Sequence, residues 1–173
     1  PVEALLARMT DCLVTINRED EERALTFRLR GGEGTRARIP GVGVRTGKFR
    51  KSPEVRKRMR RKLGIGEGVF YLLSVGELNK NKNHEVVLRA IAKLGNPAVH
   101  YGICGKGERA GYLRRLAEEL GIGSQLTLFG FRRDIPDMLQ CADCFVFPSK
   151  REGLGIAAIE AMAGGIPLIT SDC

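Results

Sequence analysis

The sequence has no tryptophan, only two histidines and no apolar stretch long enough to cross a membrane. A membrane-spanning helix needs roughly 18 or more consecutive apolar residues, and no run in this chain approaches that length. The first ten residues also lack the basic start, apolar stretch and cleavage site of a secretory signal. These absences argue against a membrane-spanning protein and against a secreted one. Because residue 1 is proline rather than methionine, we expect the sequence to be a fragment, a trimmed chain or an incomplete reading frame.

Five cysteines are an odd number, and their spacing does not suggest a disulfide framework in a chain of 173 residues. Cys141 and Cys144 form a lone Cys-x-x-Cys pair without a second pair or a nearby histidine, which argues against a zinc site. The sequence contains no Asp-x-Asp pair either, so a diphosphate site chelated through a metal by that motif is not predicted. We therefore expect reduced, unreactive thiols, a cytoplasmic protein, and neither a metal nor a cofactor.

Basic side chains are concentrated in the segment 36–62, which holds twelve of the 29 lysines and arginines and one acid, Glu54. The formal net charge of +9 is therefore carried by this segment. Such a block attracts polyanions or an acidic membrane surface, although a solvated basic helix explains it equally well. Only Phe49 interrupts the run, so platforms for base stacking are lacking. We therefore expect no nucleic-acid partner and keep a basic nucleic-acid-binding module as the less favoured alternative.

From about residue 69 onward, short apolar runs alternate with amphipathic helical patterns. The predicted strands cover 69–75, 98–104, 125–129, 144–148 and 167–170, and the predicted helices cover 83–94, 112–120, 134–140 and 155–163. This alternation predicts parallel β-α-β units and an α/β fold with a Rossmann-like, doubly wound parallel sheet. Ligands of such sheets bind beyond the carboxyl ends of the strands. The informative loops are therefore 76–83, 104–108, 129–134 and 148–155.

Residues 1–68 follow a different pattern, with one plausible strand in the CLVTI run that starts at Cys12. The stretch 31–47 is rich in glycine and arginine and is typical of a connector. A basic helix is predicted over 52–63, with Ser52 as its cap and Pro53 at its first position.

The strongest chemical signal is the segment 148–164, PSKREGLGIAAIEAMAG. Glu152 lies in a loop that leaves a strand, and Gly153 and Gly155 allow the backbone to approach a ligand closely. The free N–H groups of the helix that begins there favour a phosphate. Glu160, about one and a half turns into the helix, is suited to accept two hydroxyl hydrogens from a ribose. The alternative is an ordinary capped helix with two surface glutamates and no binding role.

These motifs resemble the carboxyl-terminal domain of the family 4 retaining glycosyltransferases, which have the two-domain GT-B fold. The residues that carry the resemblance are Gly76, Leu78, Lys82, Gly105, Gly107, Gly130, Phe131, Asp143, Pro148, Ser149, Glu152, Gly153, Leu154, Gly155 and the run from Glu160 to Ala163. The resemblance assigns donor binding to Gly76, Lys82, Gly105, Gly107, Phe131, Arg132, Glu152, Gly153, Leu154, Gly155 and Glu160, and catalytic roles to Glu152 and Lys82. It implies no bound metal.

The resemblance divides the chain into 1–50, the end of an amino-terminal domain with its connector, and 51–173, a nucleotide-sugar-binding domain truncated at its carboxyl end. It implies transfer of a sugar from a nucleotide-sugar to a saccharide or lipid-linked acceptor, with retention of configuration. The wording VGELNKNKNH with ICGKGE is similar to the branch that builds capsular or exopolysaccharides. Peripheral contact of the basic segment with an anionic membrane fits a lipid-linked acceptor. The alternative is an inactive nucleotide-sugar-binding remnant, and we expect this fragment alone to be inactive.

One departure concerns Glu77, which stands where most of the family has an arginine that grips the donor diphosphate. An acid there repels phosphate, so either Lys80 or Lys82 carries more of the binding, or Glu77 points away. Two histidines remain to be assigned. His84, at a helix start facing the candidate site, is a weaker candidate for ligand contact, and His100, within a strand, is expected to be structural.

Overall fold

The structure is a computed structural model and describes residues 2–32, 34–41 and 43–172. It consists of two units, Pro1–Gly43 and Val44–Cys173. This boundary lies about seven residues before the division expected from the sequence, because the turn Thr46–Phe49 packs with the second unit. Phe49 is buried in the core of that unit, and its carbonyl accepts a hydrogen bond of 3.2 Å from Gln140 Nε2.

The first unit contains a small β-α-β arrangement. Its elements are α1 (Val2–Ala7), β1 (Cys12–Thr15), α2 (Arg18–Leu25) and β2 (Thr35–Arg38). Strands β1 and β2 are parallel, and Cys12 lies opposite Thr35. The expectation of a single strand and a connector over 31–47 was therefore wrong. Both α2 and β2 lack an apolar pattern, since α2 has the sequence REDEERAL and every side chain of β2 is exposed.

The second unit is an α/β domain with five parallel strands. Its elements are α3 (Pro53–Lys62), β3 (Phe70–Val75), α4 (His84–Leu94), β4 (Val99–Cys104), α5 (Ala110–Glu119), β5 (Leu126–Gly130), α6 (Ile135–Gln140), β6 (Cys144–Phe147), α7 (Ile156–Ala163) and β7 (Leu168–Thr170). The strand order is β5-β4-β3-β6-β7. The Rossmann-like doubly wound sheet is thereby confirmed. The order in which strands are added to the sheet reverses between β3 and β6, since β4 and β5 lie on one side of β3 and β6 and β7 on the other, which makes this the topological switch point.

Helices cover both faces of this sheet, which is why its strands are continuous apolar runs. One buried cluster joins Met59 of α3, Met138 of α6 and Ala161 of α7 to the sheet. The other joins Leu88 of α4 and Leu113 of α5 to the opposite face. The predicted elements of this unit were confirmed with ends shifted by one or two residues.

The basic helix α3 is fastened to the amino-terminal end of β6 through Asp143. The carboxylate of Asp143 accepts hydrogen bonds from Arg56 at 2.5 Å, from Arg60 at 3.1 Å and from the Tyr71 backbone N–H at 2.7 Å. Burial would raise the pKa of Asp143, but these hydrogen bonds outweigh it and lower that pKa. The predicted cap is confirmed, since Ser52 Oγ accepts from the Val55 N–H at 3.3 Å. Asp143, Arg56 and Arg60 therefore stabilise this end of the sheet by bonding to one another and to the backbone.

Candidate functional site

The carboxyl ends of β3 and β6 bring two of the predicted loops, 76–83 and 148–155, together at the switch point. Two of the hydrogen bonds that connect these loops involve Asn81. The Lys150 N–H donates to the Asn81 carbonyl at 2.8 Å, and the Asn81 side-chain amide donates to the Arg151 carbonyl at 2.8 Å. Sequence analysis placed both loops correctly at one edge but missed Asn81 as the residue that joins them.

Lys82 and Glu152, the two residues assigned catalytic roles, contact one another across this junction. Lys82 Nζ donates a hydrogen bond to a Glu152 carboxylate oxygen. Their side chains are 21% and 19% exposed, so the ion pair is largely shielded from water but not fully buried. Lys82 Nζ also lies 5.1 Å from the centre of the Phe147 ring, within range of a cation–π interaction. The site therefore holds one positive and one negative group that a polar ligand can reach.

Two of the predicted site glycines pack the loop after β4 against the loop after β3. A Cβ atom on Gly105 would lie 1.8 Å from the Gly76 carbonyl oxygen, and one on Gly107 would lie 2.4 Å from the Leu78 carbonyl oxygen. Only glycine fits at either position. The structure thus gives Gly105 and Gly107 a role in positioning Gly76 and Leu78, which the sequence argument did not identify.

A cavity of about 400 Å³ opens between the loops that follow β3, β4 and β5. It is lined by Val75, Gly76, Glu77, Cys104, Gly105, Lys106, Phe131, Arg132 and Ile135. Phe131 is 66% exposed, and Arg132 donates to Asp134 at 2.5 Å, which lowers the pKa of that carboxyl. Asp134 precedes α6 but does not cap it with its side chain, because Arg132 occupies its carboxylate.

Helix α7 begins shortly after Glu152 in the sequence and carries Glu160. Gly155 precedes its first turn and makes no side-chain cap, and Gly153 and Leu154 lie in the loop before it. Partial burial raises the pKa of Glu160, and within residues 43–172 no hydrogen-bond or ion-pair partner is recorded for its carboxylate. Glu160 is therefore available to a ligand.

The loop that carries Lys82 is shaped by asparagines at alternate positions, 79, 81 and 83. Asn79 Oδ1 accepts from the Lys82 N–H at 2.9 Å, and Asn79 Nδ2 donates to Glu77 at 3.0 Å. Asn83 adopts the left-handed conformation, with φ of 52°, just before α4. Asparagine tolerates that conformation better than most residues. Glu77 is exposed and lines the cavity, and its carboxylate is bound to Asn79.

His84 was a candidate for ligand contact, but the structure buries it at 3% exposure. Its Nδ1 lies 3.0 Å from Tyr101 Oη, which in turn lies 2.8 Å from Ser74 Oγ. Burial lowers the pKa of His84 to about 4, so the ring is neutral at physiological pH. His84 therefore anchors the start of α4. His100 is structural as predicted, with Nε2 located 2.8 Å from Thr127 Oγ1.

The thiols of Cys104, Cys141 and Cys144 are buried. Burial raises the pKa of Cys104 to about 12 and that of Cys141 to about 11, so both thiols remain protonated. Cys173 lies outside the described residues. Within the part of the chain that the structure describes, no three His, Cys, Asp or Glu side chains are grouped so that they could hold a metal ion. Among those same residues, no helix has the length and apolar character that a bilayer crossing requires.

Comparison with known proteins assigns the family. Residues 55–173, more than half of the chain, match the family described as glycosyl transferases group 1. The chain is 40% identical over 175 residues to the putative glycosyltransferase EpsD of Bacillus subtilis (strain 168), which covers 99% of this chain and 45% of that protein. The chain therefore belongs to the group 1 glycosyltransferases.

Two further relatives agree in fold or sequence. The chain is 32% identical over 163 residues to the D-inositol 3-phosphate glycosyltransferase of Mycobacterium bovis (strain BCG / Pasteur 1173P2), covering 90% of this chain and 33% of that one. The crystal structure of Anabaena HepE in complex with UDP and glucose superposes with a TM-score of 0.84 at 22% identity, covering 99% and 47% of the two chains. The present chain spans less than half the length of each of these relatives.

Proposed function

We propose that the second unit binds a nucleotide-sugar donor, and that the longer protein transfers the sugar to an acceptor with retention of configuration, as in family 4. The observation that carries this proposal is the Lys82–Glu152 pair at the switch point of a glycosyltransferase sheet. That HepE holds UDP and glucose in the same fold supports a nucleotide-sugar as the ligand.

The site offers one group for each part of such a donor. Lys82 and the amino terminus of α7 would stabilise the negative charge that grows on the departing diphosphate. Glu160 would accept hydrogen bonds from the ribose hydroxyls, and Glu152 would orient the sugar. The cavity beside Phe131 and Arg132 has room for the base. We assign no side chain as a nucleophile.

We propose that the acceptor is a growing or lipid-linked polysaccharide, in line with the resemblance to the capsular branch, and that the protein acts in the cytoplasm. Of the basic segment, Arg56 and Arg60 are bound to Asp143, whereas Lys57, Arg61 and Lys62 are exposed. These three are available to an anionic membrane surface. Because Arg56 and Arg60 of this segment are paired with Asp143, and Arg58 with Asp137, we do not favour a nucleic-acid-binding arm.

Titration calorimetry with UDP, GDP, ADP and the corresponding nucleotide-sugars tests the proposal. We expect one nucleotide series to bind equally well in chelator and in magnesium, because lysine and a helix terminus supply the positive charge. Strict dependence on magnesium would contradict the metal-free part of the proposal. Failure of a folded protein to bind any of these compounds would support neither a transferase nor an inactive nucleotide-sugar-binding remnant.

Turnover is a separate question from binding. Transfer requires donor and acceptor to be held within reacting distance, and that positioning supplies much of the rate. We expect the 173-residue chain to bind the donor without acceptor-dependent release of nucleoside diphosphate. Robust acceptor-dependent release by this chain would show that the acceptor also binds within it, whereas an inactive longer protein would favour the inactive remnant.

A further inference from the structure

Two neighbouring residues of one loop contact two neighbouring residues of the other. Asn81 is hydrogen-bonded to Arg151, and Lys82, which follows it, is paired with Glu152, which follows Arg151. The backbone adds a third link, because the Lys150 N–H donates to the Asn81 carbonyl at 2.8 Å. The charged pair is therefore part of a short bridge between loops, and Asn81 provides both of its uncharged hydrogen bonds.

We propose that Asn81 is a positioning residue that fixes Lys82 and Glu152 relative to one another, so that the diphosphate and the sugar of the donor are bound as one unit. This inference rests on the proposed function and adds to it a residue that contacts no substrate itself.

The Asn81 hydrogen bond is better suited than the Lys82–Glu152 ion pair to hold the two loops at a fixed distance. Lysine and glutamate side chains are long and lose considerable rotamer entropy when they are held in one geometry. Their attraction also changes when a diphosphate competes for the ammonium group. The Asn81 side-chain amide, by contrast, donates to the Arg151 backbone carbonyl, and this hydrogen bond does not involve a group that the ligand would compete for. It keeps the spacing of the two loops when Lys82 turns from Glu152 to a phosphate.

A second asparagine, Asn79, fixes the backbone of the loop that carries Lys82. Asn79 Oδ1 accepts from the Lys82 N–H at 2.9 Å, which fixes the backbone from which the lysine side chain projects. Asn81 is exposed, so its replacement leaves no hole in the core. A bare nucleotide requires Lys82 but not Glu152, whereas a nucleotide-sugar requires both. Loss of the bridge should therefore weaken sugar-donor binding more than nucleotide binding, a difference that a general loss of stability would not produce.

The experiment compares Asn81→Ala and Asn81→Leu with Asn96→Ala as a matched control, since Asn96 precedes β4, a strand whose opposite, carboxyl end lies at the site. Leucine has nearly the shape of asparagine and adds no charge, but it cannot donate to the Arg151 carbonyl. Hydrogen exchange at the Lys150 amide and binding of UDP, UDP-glucose and their GDP and ADP counterparts are measured. In both Asn81 variants we expect faster Lys150 exchange and roughly 2- to 10-fold weaker nucleotide-sugar binding, as for one lost hydrogen bond. Nucleotide affinity should stay within about twofold.

Unchanged Lys150 exchange in both Asn81 variants would overturn the inference, whether or not a nucleotide binds. Equal losses of affinity for nucleotide and nucleotide-sugar would overturn it as well, because Asn81 would then act on the fold and not on the spacing of two groups. Wild-type protein that binds no nucleotide-sugar, while its Lys150 exchange responds to Asn81, would instead contradict the proposed function on which the inference rests.

Discussion

Strand β6 has a cluster of opposite charges at each end, and the two clusters differ in how far their hydrogen-bonding capacity is used. At the amino end, Asp143 receives hydrogen bonds from Arg56, Arg60 and a backbone N–H. Arg60 also donates to the carbonyls of Cys141, Gly66 and Val69 at 2.7–3.1 Å. An arginine used on several sides in this way stabilises the fold and has little left for a ligand.

At the carboxyl end, Lys82 donates one recorded side-chain hydrogen bond, to Glu152. An ammonium group has three N–H donors. Because one of them is used among the residues that the structure describes, two remain for a ligand. The same chemistry therefore serves two purposes. A saturated acid–base cluster stabilises the fold, whereas an unsaturated one can bind.

Removing the saturated cluster should have the largest effect. Asp143→Ala leaves two arginines without their carboxylate and a backbone N–H without its acceptor, and we expect a loss of roughly 2–4 kcal/mol of unfolding free energy. Urea denaturation measures it, with Asp137→Ala as a control, because the Asp137–Arg58 pair is exposed. Nucleotide affinity of the folded fraction should stay unchanged. If affinity falls as it does for site variants, the two ends of β6 are not separate.

Acid should lower the unfolding free energy through His84, beside the site, at a higher pH than through Asp143, whose pKa is lowered. Burial lowers the pKa of His84 from 6.5 to about 4, so the unfolded chain binds a proton in that interval and the folded chain does not. Stability is therefore fully present above pH 6.5 and falls as the pH drops to 4, by about 3 kcal/mol from this residue. His84→Asn should flatten the slope of unfolding free energy against pH, although His100, whose pKa burial also lowers, retains its own share. An unaltered slope would show that His84 is not buried in its neutral form.

Lys82→Ala should remove the phosphate contact and should lower the unfolding free energy less than Asp143→Ala does, because Glu152 loses one partner and Asp143→Ala affects three. We expect nucleoside diphosphate affinity to fall roughly 10- to 100-fold, as for loss of hydrogen bonds to a charged group. Calorimetry on the variant, with Lys57→Ala of the exposed face of α3 as a matched control, measures this. Equal affinity in wild type and Lys82→Ala would place the phosphates elsewhere.

The two glutamates should divide their effects between parts of the donor. Glu160→Ala should weaken nucleotide and nucleotide-sugar alike, by about tenfold for one charge-assisted hydrogen bond. Glu152→Ala should weaken the nucleotide-sugar more than the bare nucleotide. Glu119→Ala, at the far end of α5, serves as the control. Equal effects of the Glu152 and Glu160 variants on bare nucleotide would show that the roles are assigned wrongly.

The sheet could be predicted because its signals are local in the sequence. Runs such as CFVF in β6 are apolar throughout, and all four of its side chains are buried. The loop positions then followed from the rule that parallel strands present their carboxyl ends at one edge. Lys82 and Glu152 were named from a motif resemblance, and the topology explains why they lie together.

Other features could not be predicted because they depend on contacts between distant residues. Nothing near Asn81 shows that it bonds to Arg151, and nothing near Gly105 shows that the Gly76 carbonyl lies against it. His84 looked available because it begins a helix at the site, yet it is buried and bonded to Tyr101 of β4, whose hydroxyl also bonds to Ser74 of β3. Strand β2 was missed because none of its side chains is buried.

The most direct test of the account is a map of backbone amide NMR shifts during titration with UDP, repeated with GDP and ADP. We expect the nucleotide that binds to shift amides in 76–83, 104–108, 129–134 and 148–160, while those of α3 and Asp143 stay in place. Shifts centred on α3 and Asp143, with the Lys82 and Glu152 amides unmoved, would contradict the assignment of the donor site to the carboxyl end of the sheet.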